Sequence, residues 1–143
     1  MSCLFSSHNG DETTTDGVYC SSYATFNDDI SSWNTASVTT MESMFRGNAD
    51  FNQDLSSWST GEVTSMKFMF RDAASFNADI SSWDTSKVTD MESMFADATA
   101  FDQDITSWST ANVAVFTGMF DGATAFNRDL SPWDVSGGTL TRL

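Results

Sequence analysis

The chain has 143 residues, 40% of them hydrophobic and 18% charged, which is typical of one folded unit rather than of a disordered segment. Twenty acidic residues against six basic ones give a net charge of −14. Because phosphate groups are bound mainly through Lys and Arg, this balance argues against nucleic-acid binding and against an anionic membrane surface. No apolar run approaches the roughly 18 residues of a membrane-spanning helix, so we expect no membrane insertion.

The first 25 residues are irregular. Residues 1–5 align with residues 41–45, so Met1 is either a repeat methionine of a longer array or a translation start. Cys3 and Cys20 flank a polar loop, and a disulfide closing these roughly 18 residues would contribute about 3 kcal/mol. Two free thiols in a reducing compartment are the alternative. The Ser- and Thr-rich repeats favour the bridge and an extracellular location.

A 25-residue repeat begins at Phe26 and gives columns of identical or similar residues. Such a period marks units that bury a core only by stacking on their neighbours. We therefore predict one repeat domain, 1–143, with equivalent side chains in ladders. Its units are 1–25, an irregular part-repeat with an insertion; 26–50, 51–75, 76–100 and 101–125; and 126–143, a degenerate last repeat. The clearest columns are Phe26, Phe51, Phe76, Phe101 and Phe126; and Trp33, Trp58, Trp83, Trp108 and Trp133.

The first half of each unit reads as a short strand ending in a corner. In "FNADISSW", Phe76 and Ile80 share one face by the period of two, which leaves Trp83 on the opposite face. A corner between Ile80 and Trp83 would let all three side chains reach the core.

The second half of each unit reads as a short helix. Apolar residues recur at helical spacing from Val88 to Ala98, and Thr89 with Glu92 forms a capping box at the start. The predicted fold class is therefore α/β, an LRR-like solenoid of about five coils, each with a short strand and a short helix. An all-β solenoid, with the Met stripe on a second face, is the alternative.

The pattern "FNxDISSWDTSxVTxMxxMF" resembles the BspA-like leucine-rich-repeat surface proteins, in particular the branch first recorded as a domain of unknown function in mycoplasma lipoproteins. The resemblance covers roughly residues 24–135. It implies an open LRR-like solenoid, a secreted or cell-surface location, and a role in adhesion or in binding other proteins. It carries no catalytic residues over to this chain. The usual L-x-x-L-x-L pattern is replaced here by Phe and Ile separated by N-x-D.

One column of carboxylates is a candidate metal site. Stacked neighbours about 5 Å apart would repel by roughly 3 kcal/mol at an effective dielectric of 20. We expect each carboxylate to accept a backbone N–H in its own turn, and the alternatives are bound calcium and simple solvation. The column consists of Asp29, Asp54, Asp79, Asp104 and Asp129.

Three other kinds of column carry alternatives. The Asn column that starts at Asn27 predicts amide bonds along the stack, or else a binding site. Ser and Thr rows predict turn hydroxyls bonded to local backbone, or else an ice-ordering surface or O-linked sugars. The Trp column predicts core packing, or else a stripe that binds sugars or partners.

The chain offers little for catalysis, because His8 is its only histidine and it has no G-x-G-x-x-G motif. We expect a non-enzymatic, extracellular or surface repeat protein, with no cofactor unless calcium binds, that mediates adhesion or binds a protein or glycan. That hypothesis predicts an exposed column that varies between coils, such as the column from Asp28 to Arg128. The alternatives are a subunit that self-associates end to end into a filament or surface layer, and a ladder surface that interacts with ice or calcium.

Overall fold

The computed structural model describes residues 26–139, and it stacks one repeat unit on the next. Within this range the chain forms neither an α-helix nor an extended strand. Regular pairing is confined to a ladder of single parallel bridges between successive coils; the first three join residues one repeat apart, and the last joins residues 24 apart. The ladder runs from Thr40 to Ser65, Asp90, Val115 and Thr139. The predicted Cys3–Cys20 disulfide and the irregular segment 1–25 lie outside the described residues.

The predicted α/β solenoid is wrong, because the segment from Val88 to Ala98 is not a helix. Its N–H groups alternate between two directions. The Met94 N–H donates to Met91 O three residues back (3.2 Å), whereas the Ser93 N–H donates to a carbonyl of the next coil (2.9 Å). A helix would send every N–H four residues back along the same segment. The all-β alternative also fails within residues 26–139, since single bridges replace its strands.

Left-handed residues explain why this segment turns without becoming helical. Ser93 and Asp97 have φ values of 49° and 58°, which a right-handed helix does not accommodate. The left-handed positions recur every four residues, and overlapping turns close at Met94, Ala96 and Ala98. The four-residue spacing mimics the 3.6-residue period over a short segment. The predicted capping box is also absent: the Thr89 hydroxyl donates to Thr64 O in the preceding coil (3.1 Å).

The predicted ladders of equivalent aromatic side chains are present. The rings of Phe45, Phe70, Phe95 and Phe120 stack at 5.6–5.7 Å between centroids. A second Phe column, from Phe26 to Phe126, runs beside it, and its rings lie about 4 Å from those of the first column. These continuous columns, together with the buried Met side chains, form one core shared by all the described coils.

The corner predicted between Ile80 and Trp83 is also present. The Trp83 N–H donates to Ile80 O across the turn (3.2 Å). The indole Nε1–H of Trp83 donates to Leu55 O of the preceding coil (3.1 Å). The indole groups of Trp58, Trp108 and Trp133 make the same bond to the coil that precedes each of them. Each of Trp58, Trp83, Trp108 and Trp133 therefore packs in the core and also ties two coils together.

The last described coil follows the others although its sequence departs from the repeat. The Trp133 ring stacks on Trp108 at 6.4 Å, and Thr139 makes the final parallel bridge. Gly138 lies against Phe116, where an added Cβ would approach a ring carbon to 2.7 Å. Any larger residue at position 138 would displace this ring, so the change to Gly suits the close packing here.

A buried threonine column links the coils through side-chain hydroxyls. The Oγ1–H groups of Thr35, Thr60 and Thr85 each donate to a carbonyl of the next coil, at 2.9–3.0 Å. The prediction that turn hydroxyls bond local backbone is therefore wrong for this row. Thr110 is equally buried, but its hydroxyl has no hydrogen-bond partner within residues 26–139. The next coil places Val135 at the equivalent position.

Thr85→Val is expected to lower the free energy of unfolding by about 1–2 kcal/mol, because it removes a buried inter-coil hydrogen bond. Thr110→Val is the matched control: it replaces a buried, unpaired hydroxyl with a methyl group, so stability should stay unchanged or rise. Urea unfolding followed by tryptophan fluorescence measures both. Equal losses in the two variants would contradict the role assigned to the Thr85 hydroxyl.

Candidate functional site

The predicted carboxylate column lies on the surface, and each member closes a turn with the residue two positions later. The backbone N–H groups of Ser31, Ser56, Ser81, Thr106 and Ser131 donate to Oδ1 of the preceding Asp at 2.9–3.1 Å. The expectation that each carboxylate accepts an N–H in its own turn is thus confirmed.

Hydrogen bonding sets the protonation of this column. The pKa of every member is lowered, mainly by the backbone N–H and then by the hydroxyl of the residue two positions later; for Asp104 the Thr106 hydroxyl comes first. Repulsion from the carboxylate one coil below raises the pKa of Asp54 and Asp79, but it is the smallest contribution to either. The local hydrogen bonds therefore outweigh the repulsion between stacked carboxylates.

Calcium coordination needs several oxygen ligands around one point. Among residues 26–139, no three acidic, His or Cys side chains come close enough together to hold a metal ion. Each carboxylate of the column instead uses Oδ1 for its own turn. The calcium hypothesis for Asp29, Asp54, Asp79, Asp104 and Asp129 stays a prediction, as does the ice-binding hypothesis for the hydroxyl rows.

Asp84 offers a test of these carboxylate turns. Two hydrogen bonds lower the pKa of Asp84 in the folded chain: first that from the Ser86 hydroxyl and then that from the Ser86 N–H. In the unfolded chain an Asp has a pKa of about 3.9. Its contribution to stability is therefore complete above about pH 4 and is lost as the pH falls through the lower, folded pKa. At the equivalent position, Asn34 makes the same turn by accepting the Ala36 N–H at 3.1 Å.

Asp84→Asn is therefore expected to keep the turn and to make stability less dependent on pH below about pH 4. Urea midpoints measured between about pH 2 and 6 for the wild-type chain and the variant test this expectation. Parallel curves for the two proteins would show that the Asp84 carboxylate contributes nothing to acid sensitivity.

The predicted amide ladder runs along the stack. The Asn52 N–H donates to Asn27 Oδ1 (3.0 Å), the Asn77 N–H to Asn52 Oδ1 (2.8 Å), and the pattern continues through Asp102 to Asn127. The expectation of bonds along the axis is confirmed. The ladder is a structural element, because each of its side chains holds the backbone of the next coil.

The variable column proposed as a binding face is largely engaged with this ladder. The Gln53 amide reaches Asn27 O at 2.7 Å, and Gln103 makes the same contact with the coil below it. Arg128 instead pairs with Asp102, its Nη2 lying 2.8 Å from Asp102 Oδ2. Asp102, the single acid in the Asn column, is therefore paired with Arg128, which stands in the column of Gln53 and Gln103. The two substitutions are visible in the aligned repeats, so this pair could have been predicted from the sequence.

The Trp column is not an exposed binding stripe. Trp58, Trp83, Trp108 and Trp133 are buried, and their indole N–H groups bond to backbone carbonyls. The prediction of core packing is confirmed for these residues. The Met residues of the repeat pattern are buried in the same core.

Sequence reasoning missed a cluster around Phe68. The ring lies within 5.5 Å of three cationic groups: Lys67 Nζ at 4.8 Å, Arg46 Cζ at 5.3 Å and Arg71 Cζ at 5.5 Å. The detectable signal is that Phe68 occupies a column that otherwise contains Ser43, Ser93 and Gly118. This cluster, Arg46, Lys67, Phe68 and Arg71, is called the Phe68 cluster below.

Comparison with known proteins identifies a repeat family. A family model described as "Mycoplasma protein of unknown function, DUF285" matches residues 13–85 and again residues 60–140. The match confirms the resemblance to that repeat family, but it does not confirm the finer assignment to leucine-rich repeats. No curated protein and no solved structure shows significant similarity. Within residues 26–139, no helix is long and apolar enough to cross a membrane.

Proposed function

Because the chain belongs to the family described as Mycoplasma protein of unknown function, DUF285, and that description assigns no activity, we propose a function from the surface of the coil stack. The proposed function is a non-enzymatic binding module, secreted or held at the cell surface, whose stack presents side chains to a protein or glycan partner. The extracellular location is part of the proposal.

The observation that supports this proposal is the contrast between a repeated core and a varied surface. The core columns repeat because every coil must match its neighbours. Exposed positions do not share this constraint: Glu62, Lys87 and Asn112 occupy one column and differ in charge. Lys87 Nζ pairs with Glu62 at 2.7 Å, but both side chains are about half exposed and such a pair contributes little to stability. Variation of this kind changes which partner fits while the scaffold stays the same.

An adhesion assay tests the binding function. Beads coated with the chain would be counted on cultured epithelial cells and on a printed array of neutral glycans. The matched control is a variant with Glu62, Lys67, Lys87 and Glu92 changed to Ser, which alters the varied surface but none of the core residues. We expect the wild-type beads to be retained and the variant beads to be lost. Equal retention of both, or retention of neither, would overturn the proposal.

Self-association end to end is the second candidate, and partial exposure of the last described coil favours it. Leu130 and Val135 are only half-buried, whereas the equivalent Ile105 and Thr110 one coil earlier are buried. A further coil stacked on Leu130 and Val135 would cover these side chains, and we propose that a second copy of the chain can supply it. Sedimentation at rising concentration, with Leu130→Ser as the comparison, tests this candidate. A wild-type chain that stays monomeric throughout would exclude it.

A further inference from the structure

We infer that the Phe68 cluster is a docking site for a single carboxylate group on a protein partner. This inference rests on the binding function proposed above and names the site and the chemistry that would carry it. Its starting point is the repeat: where stacking determines a position, every coil carries the same kind of residue. Residues that break the pattern and lie together in space need another explanation.

The backbone conformation at position 68 makes a Phe energetically unfavourable there. Its φ is 58°, in the left-handed region, as are those of the equivalent Ser43, Ser93 and Gly118. A bulky residue rarely adopts this conformation, and strained residues of this kind concentrate at functional sites. Phe68 does not recover the cost through burial, because its ring is only half-buried. Packing therefore does not explain why an aromatic residue stands here.

The cationic groups around this ring are unusual for so acidic a chain. The sequence has only six basic residues, and three of them lie over one ring at 4.8–5.5 Å. Arg46 and Arg71 are one repeat apart, so the two guanidinium groups belong to adjacent coils. An aromatic ring attracts cations to its negative faces. This attraction offsets part of the repulsion between the three positive charges and allows them to lie close together at the surface.

The carboxylates near the cluster pair closely with Lys67 but not with the Arg71 guanidinium. Lys67 pairs with Glu92 at 2.6 Å, and Glu42 and Asp90 also raise its pKa. In the described part of the chain, Arg71 pairs only with its neighbour Asp72, and its Nε lies 3.7 Å from Asp72 Oδ2, which is too long for a hydrogen bond. Within residues 26–139, Arg71 Nε is shielded from water and donates no hydrogen bond. The rest of the Arg71 side chain is accessible, with 36% of its surface exposed. A planar acceptor can therefore approach the guanidinium from its terminal Nη side and take two donors at once.

Charge selects the ligand class. A chain of net charge −14 repels polyanions at long range, and Glu92 already pairs with one of the three cations of the cluster, Lys67. One isolated carboxylate flanked by apolar groups meets less repulsion, because its charge pairs with Arg71 and its neighbours contact the Phe68 ring. Arg and aromatic residues together are the side chains that dominate protein–protein contacts. A Glu or Asp side chain on a protein is therefore the group assigned to this site.

A pair of synthetic peptides provides the probe: acetyl-Ala-Leu-Glu-Leu-Ala-amide and its Gln analogue, titrated at physiological ionic strength. The readouts are the NMR signals of the Arg71 Nε–H and the Phe68 amide. We expect the Glu peptide to shift the Arg71 signal saturably and to bind at least about tenfold more tightly than the Gln peptide. Free acetate, which has the carboxylate without the flanking side chains, should bind much more weakly.

Three variants test the residues, and one of them is a charge control. Phe68→Ser restores the residue of Ser43 and Ser93, so the variant should fold, and Arg71→Gln removes the guanidinium. Each should weaken the Glu peptide about tenfold, while Lys87→Gln, which removes one positive charge elsewhere, should leave binding unchanged. Equal binding of both peptides, equal effects of the three variants, or acetate binding as tight as the peptide would overturn the assignment.

The adhesion assay separates this inference from the broader function. If wild-type and Phe68→Ser beads adhere equally, the binding function stands and the Phe68 cluster is not its docking site. If the Glu peptide binds as expected but no beads adhere, the carboxylate site stands and the adhesion function fails.

Discussion

Phe70→Ala is expected to lower the free energy of unfolding by about 3–5 kcal/mol. Phe70 is fully buried, and its ring lies between those of Phe45 and Phe95, at 5.6 and 5.7 Å. A third ring, that of Phe76, stacks on it at 3.7 Å. Truncation leaves a cavity bounded by three coils, and the coils cannot close it without breaking the backbone bonds that fix their separation.

Urea unfolding of the Phe70 variant, followed by tryptophan fluorescence, gives the measurement. Phe68→Ala is the matched control, because it truncates the same side chain two residues away on the half-buried Phe68 ring. Its loss should be well below that of Phe70→Ala, since little cavity forms at the surface. Similar losses at the two positions would show that the Phe column is not the main source of stability.

The stacked core could be predicted from sequence because its cause is repetition. Trp83 and Trp108 are one period apart, and identical residues at a fixed spacing stack when units share a core. Their rings lie 6.2 Å apart in the structure. The corner before Trp83 was also predictable, because the period-two pattern breaks between Ile80 and Trp83.

The helix prediction failed because the apolar pattern alone does not reveal where N–H groups point. A four-residue turn and a 3.6-residue helix place Met91 and Met94 on the same face over this length. The signal that distinguishes them lies in another coil: Gly118 and Gly122, four residues apart, both have φ above 60°. Because Gly tolerates this conformation best, its spacing marks the left-handed positions that Ser93 and Asp97 occupy without a sequence signature.

The candidate sites differ in the same way: some depend on contacts within one coil, and others depend on how neighbouring coils are offset. Turns closed by Asp79 and its equivalents were predictable, because Asp accepts the N–H two residues later whatever the coils do. Partners that depend on how coils are offset were not predictable. The Thr85 hydroxyl reaches a residue 24 positions ahead, and Arg128 reaches one 26 positions back. The Phe68 cluster likewise requires that offset, since it joins side chains from adjacent coils.

Asn48→Ala is expected to raise the free energy of unfolding by about 1–3 kcal/mol. Asn48 is completely buried, and neither Nδ2 nor Oδ1 has a hydrogen-bond partner within residues 26–139. The equivalent residues of the next three coils are Ala73, Ala98 and Ala123. The turn that ends at Asn48 and the turn that ends at Ala73 have the same backbone hydrogen bond: the Asn48 N–H donates to Phe45 O, and the Ala73 N–H donates to Phe70 O. Alanine therefore fits the backbone and removes an uncompensated amide.

The reverse substitution supplies the control. Ala73→Asn places an amide in a fully buried site with no partner and should lower the free energy of unfolding by at least about 2 kcal/mol. Urea midpoints of both variants against the wild-type chain decide the matter. A loss of stability in Asn48→Ala would mean that the amide is hydrogen-bonded in solution, and Asn48 would then be a polar contact that holds the first described coil in place. A gain would show that burying this amide costs the fold stability, because the same turn is closed by backbone bonds alone in every later coil.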